Sequence, residues 1–339
     1  MRGVAVVGPT ATGKSALAMA IARRFNGEIV ACDSAAVYRG LDIGTDKVPA
    51  EQQQGIAHHL VDVADVGETY SAALYARDAA DAMRAISARG RLPIVVGGTG
   101  FYYRALVRGL FPGPARDEEL RARLERVAER RSVKWLHRWL ARVDAASAAR
   151  IQPRDLKRIV RALEVYLLTG TPLTEHFDAT ASPIADYTLL TIGLNLPREV
   201  LWPRVTARVE DQFARGVVAE VDALIAAGVP PTAHAFSGLV YRQIIEMRRG
   251  DRDEPATRAL IVQENMRYAR RQLLWFKKER VTWLDGAGER PETQARALDI
   301  VRGFVSDCRR ALVCFTSFTA SWLCAFGSKL LQCLFRASC

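Results

Sequence analysis

The stretch that decides the fold runs from Val4 to Cys32 and reads VAVVGPTATGKSALAMAIARRFNGEIVAC. It begins with the apolar run Val4–Val7 and continues through a glycine-bounded loop into Lys14–Arg24, which has helical composition. Glu28–Cys32 is a second apolar run of strand type. Because parallel strands need a crossover connection, usually a helix, this order predicts a parallel sheet covered by helices.

The loop Gly8–Ser15 reads GPTATGKS and fits the phosphate-loop pattern G-x-x-x-x-G-K-[ST] between a strand and a helix. In such a loop the backbone amides form a nest for an anion, and the helix N-terminus adds positive partial charge. Lys14 supplies a cation for the terminal phosphates, and the Ser15 hydroxyl is a candidate Mg²⁺ ligand. The loop predicts a polyphosphate site without saying which polyphosphate it binds. Its candidate binding residues are Gly8, Pro9, Thr10, Ala11, Thr12, Gly13, Lys14 and Ser15.

Strand and helix patterns continue along the chain, and they predict an α/β fold with a P-loop NTPase-like parallel sheet and an inserted basic all-helical domain. The predicted core occupies 1–115 and 186–285, the insertion 116–185, and a C-terminal helix with an apolar, cysteine-containing tail 286–339. The predicted elements are helices at Ser71–Arg89, Asp117–Arg142, Asp155–Thr169, Arg198–Ala227 and Arg258–Lys278, strands at Leu92–Val96 and Tyr187–Leu196, and a breaker cluster at Phe111–Pro114.

The net charge of +11 is concentrated in residues 101–165, which hold 16 Lys and Arg against 8 Asp and Glu. A local excess of this kind is typical of a surface that binds a phosphate-rich polymer, although a solvated arginine-rich helix face has the same composition. Only one of the six cysteines lies in the first 307 residues. This excludes a disulfide scaffold and favours a reducing, cytoplasmic compartment. The uncharged stretch Ala311–Ser328 favours a C-terminal extension of unusual composition over a membrane span.

Two polar residues follow predicted strands, at the edge where open α/β sheets bind ligands. Asp33 follows Glu28–Cys32 and is a candidate general base, or a candidate partner of the groups that bind Mg²⁺ directly, with a structural N-cap as the alternative. Thr99 follows Leu92–Val96 in the sequence Gly97-Gly98-Thr99 and is a candidate hydroxyl donor to phosphate or substrate, with a plain turn as the alternative. The adjacent His58 and His59 have no third ligand spaced nearby, so a structural or substrate-orienting role is favoured over a metal site.

Taken together, the motifs resemble those of the tRNA dimethylallyltransferases, also called tRNA isopentenyltransferases. The resemblance spans about residues 1–285. The matching segments are Gly8–Ser15 (GPTATGKS), Asp33–Asp46 (DSAAVYRGLDIGTD), His58–Asp62 (HHLVD), Val96–Tyr102 (VGGTGFY), Arg158–Val165 (RIVRALEV), Tyr241–Gln243 (YRQ), Arg270–Trp275 (RRQLLW) and Trp283–Asp285 (WLD).

The resemblance implies transfer of a dimethylallyl group from dimethylallyl diphosphate to N6 of the adenosine 3′ to the anticodon, position 37 of tRNA, with Mg²⁺ used and diphosphate released. It implies Asp33, Thr99, Lys14 and Arg208 as catalytic residues, with Asp33 hydrogen-bonded to the target N6. The implied partners are the tRNA anticodon stem-loop and the diphosphate donor, with no stable protein partner and a monomeric state. The implied tRNA-binding residues are Asp33, Ser34, Ala35, Ala36, Thr99, Arg121, Lys157, Arg158, Ile159, Val160, Arg161, Tyr241, Arg242, Arg270 and Arg271.

Three positions depart from the family pattern. Ala36 stands where many relatives have Gln, Val240 replaces a Gly, and Asn265-Met266 replaces Thr-Arg. A β-branched residue cannot easily replace Gly at positive φ, so the loop at Val240 is expected to differ.

Two other functions remain open from the residues themselves. A P-loop kinase of a nucleoside or small metabolite would use the same loop to turn over ATP. A non-catalytic RNA-binding protein would bind tRNA with salt-dependent affinity and consume no allylic donor.

Overall fold

The computed structural model describes residues 1–111, 113–178 and 180–306. Within these residues no helix is both long and apolar enough to cross a membrane. The predictions for the apolar tail from Ala311, and for Pro112 in the breaker cluster, fall outside the described residues.

Six strands form one sheet in which every neighbouring pair is parallel. The α/β class and the sheet flanked by helices are therefore confirmed. The order is β3-β2-β4-β1-β5-β6, which places β1 at the centre, where Val6 pairs with Val96 on one side and with Ile192 on the other. The strands are β1 (Arg2–Val7), β2 (Gly27–Cys32), β3 (His58–His59), β4 (Leu92–Gly97), β5 (Thr188–Asn195) and β6 (Thr282–Asp285).

Twelve bounded α-helices connect and flank these strands in the described chain, and residues 291–306 are also helical. Short 3₁₀ helices occupy Ala50–Gln52 and His234–Ser237. The α-helices are α1 (Lys14–Phe25), α2 (Ala72–Ala88), α3 (Gly100–Arg108), α4 (Glu118–Arg131), α5 (Val133–Val143), α6 (Ala145–Arg150), α7 (Leu156–Thr169), α8 (Leu173–Asp178), α9 (Arg198–Ala214), α10 (Val217–Ala226), α11 (Tyr241–Arg248) and α12 (Glu254–Phe276).

The described chain divides into two compact units. The α/β unit contains Met1–Thr69, Ala82–Gly100 and the described chain from Asp186 onward. In its core the β1 residue Val4, together with Leu17 and Ile21 of α1, is completely buried. Leu17 and Ile21 are four residues apart and therefore lie on one face of the helix, which packs on the sheet.

The helical unit contains Phe101–Ala185 together with Tyr70–Asp81, and so extends beyond the expected insertion at 116–185. The physical reason lies in three tyrosines: the Tyr75 and Tyr102 rings stack at 4.4 Å, and the Tyr102 hydroxyl donates to the Tyr70 carbonyl at 2.9 Å. Leu136 of α5 and Leu163 of α7 are fully buried members of this unit's own core.

Two predicted helices are each divided in the structure. The expected helix Asp117–Arg142 breaks at Ser132, which has a φ of 102° and accepts a hydrogen bond on its side chain from the Trp135 amide. The expected helix Arg198–Ala227 breaks at Gly216, which has a φ of 89°. At both breaks the residue has a positive φ, which an α-helix does not use. Glycine adopts this conformation readily at position 216, and the Ser132 side chain caps the helix that follows it.

Candidate active site

The candidate site lies at the carboxyl ends of β1, β2 and β4, where the phosphate loop Gly8–Ser15 leaves the centre of the sheet. A cavity of about 340 Å³ opens there. It collects four of the predicted catalytic or metal-binding side chains, together with the peptides that follow β2 and β4. Its lining includes Thr10, Lys14, Ser15, Asp33, Ser34, Ala35, Ala36, Gly98, Arg208, Val240, Tyr268 and Gln272.

The phosphate loop is held in a tight, left-handed backbone path. Gly8, Ala11 and Gly13 have φ values of 141°, 59° and 83°. A Cβ atom at Gly13 would lie 2.8 Å from the Gly288 nitrogen, and that nitrogen donates to the Thr12 carbonyl at 2.9 Å. Glycine at position 13 therefore permits both the backbone angle and the close approach of a neighbouring peptide.

Lys14 lies folded over this loop and donates to the Pro9 carbonyl at 2.6 Å. Burial, followed by the nearby charge of Arg208, lowers the pKa of Lys14 from its ordinary value to about 8, although Asp33 acts in the opposite direction. The ammonium ion is thus destabilised until an anion occupies the cavity, which is the electrostatic behaviour expected of a phosphate-binding lysine.

Arg208 of α9 reaches the phosphate loop. Its Nη1 donates to the Thr10 hydroxyl at 2.9 Å, and its Nε lies 2.6 Å from the Asp46 carboxylate. Arg204, one turn earlier on α9, donates to the Ala11 carbonyl at 2.7 Å. Asp46 orients the guanidinium of Arg208, and the two arginines join α9 to the phosphate loop.

Gln272 of α12 joins the phosphate loop to the end of β4. Its Oε1 accepts a hydrogen bond from the Thr10 amide at 2.9 Å, and its Nε2 donates to the Gly98 carbonyl at 2.9 Å. A Cβ atom at Gly98 would lie 2.1 Å from Gln272 Nε2, so glycine is required there for this contact. The Thr10 amide is therefore occupied by the protein and is not one of the amides that face an anion.

Asp33 and Thr99 are brought together by contacts between the ends of β2 and β4. The Thr99 amide donates to the Cys32 carbonyl at 3.3 Å, and the Ser34 amide donates to the Thr99 hydroxyl at 3.1 Å. Asp33 Oδ1 accepts from the amides of Ala35 and Ala36 at 2.8 and 3.3 Å. Among the residues that the structure describes, Asp33 Oδ2 accepts no hydrogen bond, so this oxygen is free to act on a substrate.

Tyr268 is a site residue that sequence reasoning missed. It lines the cavity beside Asp33 and Gln272. Burial and the negative charge of Asp33 raise the pKa of its hydroxyl to about 12, while hydrogen bonding to Thr99 and Gln272 opposes the rise. The phenol is therefore neutral at physiological pH. The available signal was the spacing of Tyr268 and Gln272, which are four residues apart and lie on one face of α12.

The oxygen atoms that line the cavity are of the type that would suit a magnesium ion. The Ser15 hydroxyl and the Asp33 carboxylate both line it, and Mg²⁺ prefers oxygen ligands and retains few from the protein when phosphates supply the rest. Across the described parts of the chain, no group of three or more His, Cys, Asp and Glu side chains is arranged to hold a metal by itself. His59 instead lies 2.6 Å from the buried carboxylate of Glu28, which is a structural contact.

Comparison with known proteins places this geometry in a family. The family model described as IPP transferase matches residues 36–279. A tRNA dimethylallyltransferase of Solibacter usitatus is 46% identical over 303 residues, which are 89% of this chain and 98% of that protein. The chain belongs to the IPP transferase family. A second tRNA dimethylallyltransferase, from Thermomicrobium roseum, is also 46% identical and covers 83% of this chain and 85% of its own length.

Solved structures of the family have the same fold. The tRNA isopentenylpyrophosphate transferase of Bacillus halodurans superposes with a TM-score of 0.68 at 34% identity, covering 91% of this chain and 98% of its own. A eukaryotic dimethylallyltransferase acting on tRNA superposes with a TM-score of 0.76 at 26% identity, covering 90% of this chain and 80% of its own.

Four residues in the set carried over from the family have buried side chains: Ala36 lines the cavity at 9% exposed, and the other three lie inside the protein. Ile159 and Val160 of α7 are 0% and 2% exposed and belong to the core of the helical unit. Tyr241 is 0% exposed, and its hydroxyl donates to Glu220 at 2.8 Å. Their side chains cannot touch a tRNA surface, because each is already packed or hydrogen-bonded inside the protein.

Several of the predicted phosphate-binding arginines are already paired with carboxylates. Glu164, which is completely buried, lies 2.8 Å from both Arg121 and Arg161. Arg158 lies 3.3 Å from Asp155. Among the described residues Lys157 makes no ion pair and is exposed. The pairing of Arg121 and Arg161 indicates that they stabilise the helical unit as well as contributing positive charge.

The basic residues of the α/β unit that were predicted to bind tRNA are not among the residues that line the cavity with Asp33. Arg242 is exposed, with the Glu264 and Glu246 carboxylates at 3.6 and 3.8 Å. Arg270 lines a second cavity of about 540 Å³. The guanidinium of the exposed Arg271 lies 5.6 Å from the centre of the Tyr268 ring.

Val240, which departs from the family pattern, has a left-handed backbone conformation. Val240 has a φ of 75° although its side chain is β-branched and only 3% exposed. The loop therefore has a conformation that favours glycine, and the valine occupies it under strain while lining the cavity.

Proposed function

We propose that this protein transfers a dimethylallyl group from dimethylallyl diphosphate to N6 of adenosine 37 of tRNA, forming N6-(dimethylallyl)adenosine and diphosphate. The observation that carries the proposal is the placement of Asp33, with one unengaged carboxylate oxygen, in the same cavity as the phosphate loop. Relatives that match nearly the whole chain bear the name tRNA dimethylallyltransferase, which supports the same reaction.

The phosphate loop, Lys14 and Arg208 hold the diphosphate of the donor. As the allylic C–O bond breaks, its electron pair passes to diphosphate, and fixed positive charge stabilises the oxygen that gains it. The Thr10 hydroxyl keeps Arg208 directed at the loop. Ser15 would hold Mg²⁺ through its hydroxyl, and the ion would supply further positive charge for the departing diphosphate.

Asp33 accepts the proton that the nucleophile must lose. The N6 lone pair forms the new bond to the allylic carbon, and the proton of that nitrogen passes to Asp33 Oδ2. Oδ1 keeps the carboxylate oriented because two backbone amides donate to it. The Thr99 hydroxyl accepts from the Ser34 amide and donates to the Ser34 hydroxyl at 3.5 Å, so a substrate that takes the Thr99 proton replaces that long contact.

The adenine must leave the stack of the anticodon loop to reach Asp33, as in other enzymes that modify a base. Exposed cations such as Lys157 and Arg242 supply contacts to tRNA phosphates, and Ser34 with Ala35 lies beside the target base. The protein acts as a monomer in the cytoplasm. The kinase alternative is not favoured, because the matching relatives are prenyltransferases.

The substitution Asp33→Asn tests this assignment, because an amide oxygen still accepts from Ala35 and Ala36 but does not take up a proton. We expect kcat for prenyl transfer to fall by about 10²–10⁴-fold, the usual share of a general base, with tRNA affinity retained. The assay follows N6-modified adenosine and released diphosphate with Mg²⁺, the allylic donor and unmodified tRNA.

Asp299→Asn, at a distant exposed position of the C-terminal helix, is the matched control and is expected to leave kcat unchanged. Loss of tRNA binding in Asp33→Asn would remove Asp33 as the base. A wild-type protein that hydrolyses ATP without modifying tRNA would reject the proposed reaction altogether.

A further inference from the structure

The exposed face of α5 carries a pattern that the proposed reaction does not use. Trp135, Arg138, Trp139 and Arg142 are spaced three, one and three residues apart, so they form one ridge along the helix, named here the α5 ridge. Trp135 is 36% exposed, and its ring centre lies 6.1 Å from that of Trp139. The four side chains line a shallow cavity of about 380 Å³.

The opposite face of α5 is already occupied. Leu136 and Leu140 are completely buried in the core of the helical unit, and the His137 ring contacts the carbonyls of Ala148 and Ile151 at 3.0 Å. Trp139 is half-buried and packs partly against this core, whereas Trp135 is exposed. Packing within the helical unit therefore does not account for Trp135 on this basic face.

The charge of this face has a single sign. Residues 130–143 contain five Lys and Arg and no Asp or Glu, whereas α4 mixes Glu118, Glu119, Glu125 and Glu129 with its arginines. Among the described residues, neither Arg138 nor Arg142 forms an ion pair. These guanidinium groups differ in this respect from Arg121 and Arg161, which are bound to Glu164.

We propose that the α5 ridge binds unpaired nucleotides of RNA, with a base stacked on Trp135 and neighbouring phosphates bound by Arg138 and Arg142. Indole rings stack on any base, and unpaired guanidinium groups suit phosphate oxygens. The absence of carboxylates from residues 130–143 makes the surface complementary to a polyanion. This inference rests on the proposed function only for the class of ligand, RNA.

Two other occupants have different requirements. A membrane surface would need a continuous apolar face, but the leucines of α5 are buried and only the two tryptophans remain for contact with lipid. Duplex RNA would use the arginines alone, because its bases are stacked inside the helix. Both are included as arms of the test.

The experiment measures binding of a labelled short single-stranded oligoribonucleotide by fluorescence anisotropy, across a range of salt concentrations. We expect Trp135→Ala to weaken binding by about 10-fold, from the usual cost of losing one stacked base, and Trp135→Phe to retain most of the affinity. We expect Arg138→Gln with Arg142→Gln to lower the log–log salt slope by about 1.4, for two lost phosphate contacts. A matched pair on another surface, Arg23→Gln with Arg24→Gln on α1, is expected to change the affinity far less.

Equal binding of the oligonucleotide by wild type and Trp135→Ala would overturn the proposal. So would an effect seen equally with the same sequence as a duplex, or a ridge-dependent binding of anionic phosphatidylserine vesicles without ridge-dependent RNA binding. Circular dichroism of Trp135→Phe and Trp135→Ala confirms that both are folded. Asp33→Asn does not alter the α5 ridge. Loss of prenyl transfer in that variant would therefore not affect the test of RNA binding by the ridge. A negative result in the RNA-binding test would likewise not affect the assignment of prenyl transfer.

Discussion

The Lys14 side chain is the residue whose protonation depends most directly on the ligand. It donates to the Pro9 carbonyl at 2.6 Å, and burial together with Arg208 lowers its pKa to about 8. Below pH 8 the free protein carries the charged form that an anion requires. Above pH 8 the free protein is largely neutral at this position and must take up a proton when diphosphate binds.

We therefore expect the affinity for inorganic diphosphate to fall by up to about 10-fold per pH unit above pH 8. Lys14→Arg stays charged throughout this range and is expected to lose this component of the pH dependence, even where its affinity is lower. Isothermal titration calorimetry from pH 7 to about pH 9.5 measures both affinity and proton uptake. Titration of diphosphate itself is common to both proteins, so an identical pH profile for the two would contradict the role of Lys14.

Helix α7 is joined to α4 by a buried carboxylate. Glu164 accepts hydrogen bonds from Arg121, Arg161 and the Asp117 amide at 2.8 to 2.9 Å. Burial alone raises the pKa of Glu164, but the hydrogen bonds from Arg121 and Arg161 outweigh it and lower the pKa to about 2. The charge of Glu164 therefore favours the folded state at neutral pH.

Because the folded pKa lies below the unfolded value, this stabilisation is present above pH 4.5 and is lost as the pH falls toward 2. We expect Glu164→Gln to lower the free energy of unfolding of the helical unit by about 3 kcal/mol at pH 7. The difference in the free energy of unfolding between Glu164→Gln and wild type should become smaller below pH 4.5. Thermal unfolding followed by circular dichroism at pH 7 and at pH near 3.5 measures it.

Glu129→Gln, at an exposed position of α4, is the control and is expected to unfold like the wild type at both pH values. A Glu164→Gln deficit that stays the same at low pH would show that the side chain acts through its shape and hydrogen bonds, not through its charge.

The candidate active site depends on contacts between parts of the chain that are distant in sequence. Gln272 joins the Thr10 amide, 262 residues away, to the Gly98 carbonyl at the end of β4. Loss of this side chain leaves a buried donor and a buried acceptor unpaired, at a cost of about 1–3 kcal/mol for each group. The phosphate loop would lose the hydrogen bond that joins its Thr10 amide to α12.

We expect Gln272→Ala to raise KM for the allylic diphosphate by about 10-fold or more, because one such unpaired group is worth that factor. KM for tRNA should change little, since Gln272 holds the loop that binds the donor. Steady-state kinetics with each substrate varied in turn measures both constants. Gln263→Ala, at an exposed position of the same helix, is expected to leave both unchanged, and a matching rise in KM for tRNA would contradict the assignment to the phosphate loop.

The local parts of the fold and of the site were predictable from the sequence. The phosphate loop, the strands on either side of α1 and the placement of Asp33 and Thr99 after strands all depend on short-range patterns. These are apolar runs of strand length, glycine at positive φ and a lysine that follows it at the start of a helix. The order of the strands, with β1 at the centre, was not predicted, because it depends on long-range pairing.

Only the tertiary structure decided which side chains meet and which are buried. Tyr268, Gln272 and Asp46 join the site through contacts across the sheet, while Ile159 and Tyr241 turn inward and leave the predicted tRNA surface. A residue's exposure and its ionic partner depend on elements far away in the chain, and no local pattern encodes them. The sequence determined that a phosphate loop and an acid would lie at one edge of a parallel sheet, and long-range packing decided how they are held there.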